Sequence, residues 1–276
     1  MRTIRCCAAM LLALSACLAQ AEEKYTIKPN LKANEAWNMT QTMDMAMNIK
    51  INANGQNQAM DQKMTMSMGA TMTPLEVKEG VATKSKIKFG DDAKITVVMM
   101  GQTQNVPFPL AGKEMTVTKK DDGSVTVDPA GLVDDKTQGT LGNMMESATA
   151  FYPTKPVGVG DKWEVPGDKL AKMFQMEAGA KGSVECTLAA IKEVGGKKVA
   201  DVTLSGKAAG KMQGVLDVTL DLSGPMSIDL ESGQVLSQDI KANMTLKGDQ
   251  PAGNGQVINM DGTGVVNVKQ TMTPAK

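Results

Sequence analysis

Apolar residues recur at every second position along the longest patterned stretch of this chain, and that period permits β-strand and little else. From Trp37 to Ile51 they fall on odd numbers: Trp37, Met39, Met43, Met45, Met47, Ile49 and Ile51. Thr, Asp, Asn and Lys sit between them. After the turn-rich residues 52–57 the pattern resumes through Met60, Met64, Met66, Met68 and Met72. Successive side chains of a strand point to opposite faces, so this alternation places one set on a sheltered side and the other in water. Helical spacing fits neither limb. The stretch predicts a long antiparallel hairpin.

The same style continues downstream. Ile95, Val97 and Met99 alternate, as do Val106, Phe108 and Leu110. Asp122-Gly123 separates Met115-Val117 from Val125-Val127, a strong two-residue hairpin signal. Val184, Cys186, Leu188 and Ala190 are assigned to one face, as are Leu216, Val218, Leu220 and Leu222, and then Ile240, Met244 and Leu246. Ser232-Gly233 reads as a further turn. The last strand, about 256–270, carries Gly262 and Gly264 inside it, which predicts a bulge or bend. A helix is predicted over 140–150, stopped by Pro153 and Pro156, and a second over 168–175 with Leu170, Met173 and Phe174 on one side.

Two halves are similar. Leu31-Lys-Ala-Asn-Glu-Ala-Trp37 parallels Val157-Gly-Val-Gly-Asp-Lys-Trp163, and these are the chain's two tryptophans. Gly112-Lys-Glu-Met115-Thr-Val117 with its Asp-Gly turn parallels Gly224-Pro-Met226-Ser-Ile228 with its Ser-Gly turn. Trp37 and Trp163 are each expected to open a strand and anchor one half-core. The fold class is therefore mainly β: an antiparallel sheet or half-open barrel built from two sequence-related halves, with one or two short helices. The organisation expected is a leader at 1–21, an N-terminal β half at 22–135, a helix and linker at 136–156, and a C-terminal β half at 157–276.

The leader reading rests on Arg2 and Arg5 as a positive start, the apolar run from Cys6 to Leu14, and Ala19-Gln20-Ala21 before Glu22. That run is too short to span a bilayer, and no later segment has 18 uncharged apolar residues. Two processing routes fit: cleavage before Glu22, or lipidation of Cys17 in Leu14-Ser15-Ala16-Cys17, which resembles the lipobox of bacterial lipoproteins. Both place the mature chain outside the cytoplasmic membrane, in the periplasm or beyond, and lipidation would also anchor it.

Removing the leader removes both arginines and three of the four cysteines. What is left has 28 lysines against 30 acids, a formal charge of −2, with no Arg and no His. Without Arg there is no bidentate fork for phosphate, and without a basic excess no footprint for nucleic acid. Without His there is no default general base near neutral pH and no imidazole ligand for a metal. Histidine-dependent hydrolases, zinc peptidases and Cys-His enzymes are excluded, and the chain is expected to be no enzyme. Cys186 is in phase with Val184 and Leu188, so a buried, inert thiol is expected. Ser85-Lys86-Ile87-Lys88 spells the Ser-x-x-Lys string of penicillin-recognising enzymes, but it sits in an alternating strand where that chemistry needs a helix start. The acid pairs Asp91-Asp92, Asp121-Asp122 and Asp134-Asp135 fall at turns.

One set of residues carries a resemblance. Tyr152-Pro153-x-x-Pro156-Val157-x-Val159-Gly160-Asp161-x-Trp163, then Lys192-Glu193-Val194-Gly195-Gly196, then Asp229-Leu230-x-Ser232-Gly233-x-Val235, resembles an uncharacterised family of secreted and lipid-anchored bacterial β-proteins. The likeness covers most of the mature chain and rests on turn and packing residues. It implies a scaffold and transfers no activity. At fold level the chain also resembles the half-barrels that carry lipoproteins in the periplasm.

Methionine is the unusual element, with 21 of 23 in the mature part. Met43, Met45 and Met47 on one limb and Met64, Met66 and Met68 on the other place thioethers two residues apart on one face. Three readings follow. The stripe packs a filled core; it lines a deformable surface for an apolar small molecule or lipid; or, as the alternative, its soft sulfurs hold Cu(I) in a periplasmic copper protein. No cofactor is expected. The leading expectation is a non-enzymatic envelope protein, structural or binding an apolar ligand.

Overall fold

The computed structural model describes residues 23–53, 56–135, 137–139, 141–142, 149–174, 176–212, 214–251 and 257–275. The expected leader, Cys17 included, lies outside the described residues. Alternation produces strands over most of the described residues: β1 (Trp37–Ala53), β2 (Gln56–Lys78), β3 (Val81–Phe89), β4 (Lys94–Met99), β5 (Gln102–Pro107), β6 (Glu114–Lys119) and β7 (Val125–Asp128). After the middle of the chain come β8 (Lys162–Pro166), β9 (Lys181–Val194), β10 (Lys197–Met212), β11 (Leu216–Asp229), β12 (Val235–Pro251) and β13 (Val257–Pro274).

All pair antiparallel in one sheet, in the order β7-β6-β3-β2-β1-β13-β12-β11-β10-β9-β8, with the hairpin β4–β5 attached to the first half of β2. β7 and β8 do not pair with each other, so the sheet stays open. The fold is mainly β and antiparallel. Strands from 37–128 fill one side of the sheet and strands from 162–274 fill the other, meeting along the β1–β13 seam, which is paired from Trp37–Pro274 to Ala53–Ile258. The predicted hairpin is β1–β2, in which Met43 faces Met66 and Met45 faces Met64.

Because directly opposed residues share a face, the register carries the apolar side across the sheet. The other face is a polar ladder: Thr40 with Thr271 (2.6 Å), Thr65 with Asp44 (2.8 Å), Asn48 with Asp61 (2.6 Å) and Thr71 with Asn38 (2.9 Å). Exposed ion pairs such as Lys207–Asp221 and Lys211–Asp217 continue it.

Irregular segments cover the apolar face at its two flanks. Over the C-terminal block lie Ile27, Ala150, Val157 and the helix α1 (Gly167–Met173), whose Leu170 and Ala171 are buried among Val184, Cys186, Leu188, Val202 and Ile228. Over the N-terminal block Ala93 and Leu110, from the connections beside β4 and β5, close on Phe89, Met115, Val117, Val125 and Val127. At one end of the sheet residues 25–34 strap both blocks together: Tyr25 exchanges backbone bonds with Val157, Asn30 donates to Ser232, Leu31 to Gly80 and Asn34 to Pro74. The hairpins β1–β2, β4–β5, β10–β11 and β12–β13 turn at the other end.

The turns behind the resemblance motifs have physical roles. Asp161 accepts the Gly158 N–H (2.8 Å) and binds Lys24, while Gly160 takes φ +92° and donates to Leu188. Asp229 is buried, accepts the Glu231 N–H (2.8 Å) and the Ser232 hydroxyl (3.1 Å), and pairs with Lys197. The Tyr152 hydroxyl donates to the Gly233 carbonyl.

Four expectations change. Ala190 does not share the face of Leu188: Val202 pairs with Leu188 and Asp201 with Ala190, so Ala189 is an extra residue and the inward position passes to Ile191 opposite buried Ala200. β13 runs without a register shift through Gly262 and Gly264. A Cβ at Gly262 would meet Leu246 at 3.0 Å, and one at Gly264 would meet Ala46 O at 2.9 Å and Met47 at 3.0 Å, so these glycines make room for large neighbours. Phe108 and Leu110 lie beyond the end of β5 and pack from a turn. In the middle of the chain 135, 137–139 and 141–142 are helical, so helix begins earlier than 140, and most of the predicted span 140–150 falls outside the described residues.

Candidate functional site

Following single rungs across the apolar face locates the site. One runs Val184–Gly206–Leu222–Ala242–Val266–Met45–Met64–Val97 from β9 to β4. Its neighbour runs Ile240–Val268–Met43–Met66–Ile95. A third passes Leu220–Met244–Gly264–Met47–Gln62. At the C-terminal flank these residues are fully covered: Val184, Leu220 and Leu222 are 1–3% exposed. At the seam the same face opens. Met43, Met45 and Met64 belong to neither core and are half-buried; Val268, Ile95 and Val97 beside them are half-buried too, and Val266 is half-buried against the edge of the C-terminal core.

The outcome is an apolar strip between two cores. Of the predicted stripe, Met47 borders the C-terminal core, Met66 borders the N-terminal core, and Met68 is buried in it. Trp37 is buried at the strapped end. Trp163 is half-buried at the C-terminal core, with its indole N–H donated to Phe151 O (2.9 Å). Ile240, Val266 and Val268, which complete the strip, were not legible as site residues: they come from β12 and β13, and only the β1–β13 pairing brings residue 45 beside residue 266. Gln41, a polar break in the odd-numbered stripe, stands on this face too.

Polar chemistry is sparse here. Among the described residues no cluster of three or more His, Cys, Asp or Glu is placed to hold a metal ion. Cys186 is buried, and burial followed by the neighbouring Glu185 charge pushes its thiol up to about 12, so the nucleophilic thiolate is suppressed. Burial also pushes the Tyr152 phenol up to about 12. Ser85 is buried inside strand β3 and opens no helix. The acid pairs sit in turns, where Asp122 accepts Ser124 N–H (2.8 Å) and Asp134 accepts Thr137 N–H (2.7 Å). Among the described residues no helix is long and apolar enough to cross a membrane.

No family model matches the chain, and no curated protein does. Among solved structures it is similar to lipovitellin, in a study of lipid–protein interactions, at 6% identity over 89% of this chain and a TM-score of 0.49; the chain spans 26% of that protein's length. It is also similar to the hypothetical lipoprotein YmcC from Escherichia coli K12, at 12% identity, 97% of each chain and a TM-score of 0.22. A DUF1329 family protein from Desulfovibrio piger matches at 7% identity, 83% of this chain, 84% of that one and a TM-score of 0.12. Function therefore rests on the site alone.

Proposed function

We propose that this chain is a non-enzymatic protein of the bacterial envelope that holds an apolar ligand, of lipid or acyl-chain character, on the strip around Met43, Met45, Met64, Val266 and Val268. One observation carries the reading. The apolar face is continuous from β9 to β4, yet its centre belongs to neither core and stays half-buried. Contiguous apolar surface left uncovered in a folded protein marks an interaction site. Methionine suits the task because its unbranched thioether adapts to irregular partners. The exported location follows from the leader reading, and lipidation of Cys17 would add an anchor.

Titration with the fluorescent apolar probe 1-N-phenylnaphthylamine tests it. Wild type binds with enhanced emission, and a Met45→Asp/Met64→Asp variant that keeps its β spectrum loses at least about tenfold in affinity, because a buried carboxylate on the strip is strongly unfavourable. Unchanged binding by that variant would refute the strip as the site. The facing pairs Met43–Met66 and Met45–Met64 favour Cu(I) as the second reading. Changing those four residues to Leu separates the two, since it preserves an apolar surface and removes every sulfur ligand.

A further inference from the structure

One rung of the apolar face is not apolar. Gln41 of β1 stands opposite Gln270 of β13, and Gln270 stands opposite Gln238 of β12. The rung ends on Met68 on one side and Met226 on the other, each a buried member of one of the two cores. All three glutamines are half-buried, and Gln238 Nε2 donates to Gln270 Oε1 at 3.1 Å. Among the described residues the Gln41 amide has no hydrogen-bond partner, and Gln270 Nε2 donates to none. Leucine at these positions would complete the stripe. Three amides on a sheltered face instead carry a desolvation cost that a ligand's polar atoms would offset.

We infer that this glutamine rung is the head-group subsite of the strip, and that the ligand is an acyl chain ending in an uncharged polar group such as an ester, amide or alcohol. The inference rests on the apolar-ligand reading above and sharpens it. Charge on the face decides the head group. From β4 to β11 the rungs on either side of the glutamines carry Ile, Val, Leu, Ala, Gly and Met, with Gln62 on the Met47 rung and no Lys, Asp or Glu among the described residues. A carboxylate or phosphate seated there would meet no cation. An amide offers both N–H donors and a carbonyl acceptor, so it serves a neutral carbonyl or hydroxyl equally.

Geometry decides the direction of the tail. On the strapped side of the rung Met39 and Met272 face each other, Met272 is buried, and Trp37 beyond them is buried as well. Gln234 Nε2 donates to Met272 Sδ at 2.8 Å and holds that side closed. The tail therefore runs the other way, past Met43 and Met45 to Met47. Six residues of strand at about 3.3 Å each give about 20 Å. One leaflet's acyl chains span about 15 Å, so the strip has room for one chain lying along β1 and β13.

The test uses the full mature chain with two probes sharing one tail, 1-palmitoylglycerol and palmitate at pH 8, each measured by displacement of 1-N-phenylnaphthylamine. Wild type is expected to bind 1-palmitoylglycerol at least about tenfold more tightly than palmitate. Gln41→Leu/Gln270→Leu is expected to lose that preference while keeping the fluorescent probe's affinity. If the double variant does not fold, Gln41→Leu alone is expected to cut the preference by at least about threefold. Equal binding of the two lipids by wild type, or a preference untouched by either variant, overturns the head-group assignment while the strip stands. Failure of wild type to bind even the fluorescent probe overturns the strip and the inference together.

Discussion

The C-terminal block and the central seam are written in the same alternating code, yet they end in different states. In β9–β11 the apolar positions Val184, Cys186, Leu188, Val202 and Val218 are 0–2% exposed. In β1, β2 and β13 the equivalent positions Met43, Met45, Met64 and Val268 are half-buried. The period is the same in both, although the seam carries Met where the block carries Val, Leu and Cys. The difference is cover: Ile27, Ala150, Val157 and α1 lie on the first, and the described irregular segments leave the second open. Alternation decides which face a side chain joins, while the segments between strands decide whether that face becomes core or site.

The sharpest contrast comes from truncation on each side. Leu188→Ala is expected to cost about 3 kcal/mol, the usual penalty for a cavity in a covered core. Met45→Ala is expected to cost under about 1 kcal/mol, because its surroundings are already partly solvated. Denaturant unfolding of both variants checks this, and equal losses would erase the distinction between block and seam.

High pH acts next, through two groups of the covered block. Tyr152 and Cys186 titrate at about 12 in the folded chain, against ordinary values of 10 and 9. A raised folded value means that the native state holds the proton more tightly. The stabilisation is present below the unfolded value and is lost as pH rises through the folded one. Stability should therefore decline from about pH 9 to about pH 12, by up to about 1.4 kcal/mol per pH unit for each group. Thermal melts across that range test it, and Tyr152→Phe should flatten the portion above pH 10. A flat profile in wild type would contradict burial of both groups.

Smaller still is the bond that Tyr152 makes to Gly233. Tyr152→Phe at neutral pH should cost about 1 kcal/mol, seen as a lower denaturation midpoint at unchanged slope. The least effect is expected on the polar face, where Asp221→Asn breaks the exposed pair with Lys207 and should change stability by under about 0.5 kcal/mol. A loss of several kcal/mol there would mean that the polar face is covered too.

Much of this architecture is legible in the residues themselves. The β1–β2 hairpin, the Asp122-Gly123 turn and the buried Cys186 follow from local period and turn chemistry, which act within a few residues. The Met43 to Met68 stripe is visible for the same reason. Its completion by Val266, Val268 and Ile240 is not, since that depends on pairing the first strand with the last. Nor is the flip at Ala190, because a bulge inserts one residue without altering composition. Gly262 and Gly264 look like a bend and are instead clearance for Leu246 and Met47, a distinction set by neighbours more than 15 residues away. Gln41 passes as one polar residue in a long stripe until the register sets it beside Gln270 and Gln238.

Methionine itself supplies the most direct test of a covered block beside an open seam. Peroxide oxidation followed by peptide mass spectrometry reports each thioether's access to solvent, residue by residue. Met43, Met45 and Met64 should oxidise at rates approaching that of exposed Met100, while buried Met115 and Met226 should lag by at least about tenfold. Bound 1-palmitoylglycerol should slow the first three and leave Met100 unchanged. Rates for Met43, Met45 and Met64 as slow as those of Met115 and Met226 would show a sealed seam and contradict the account.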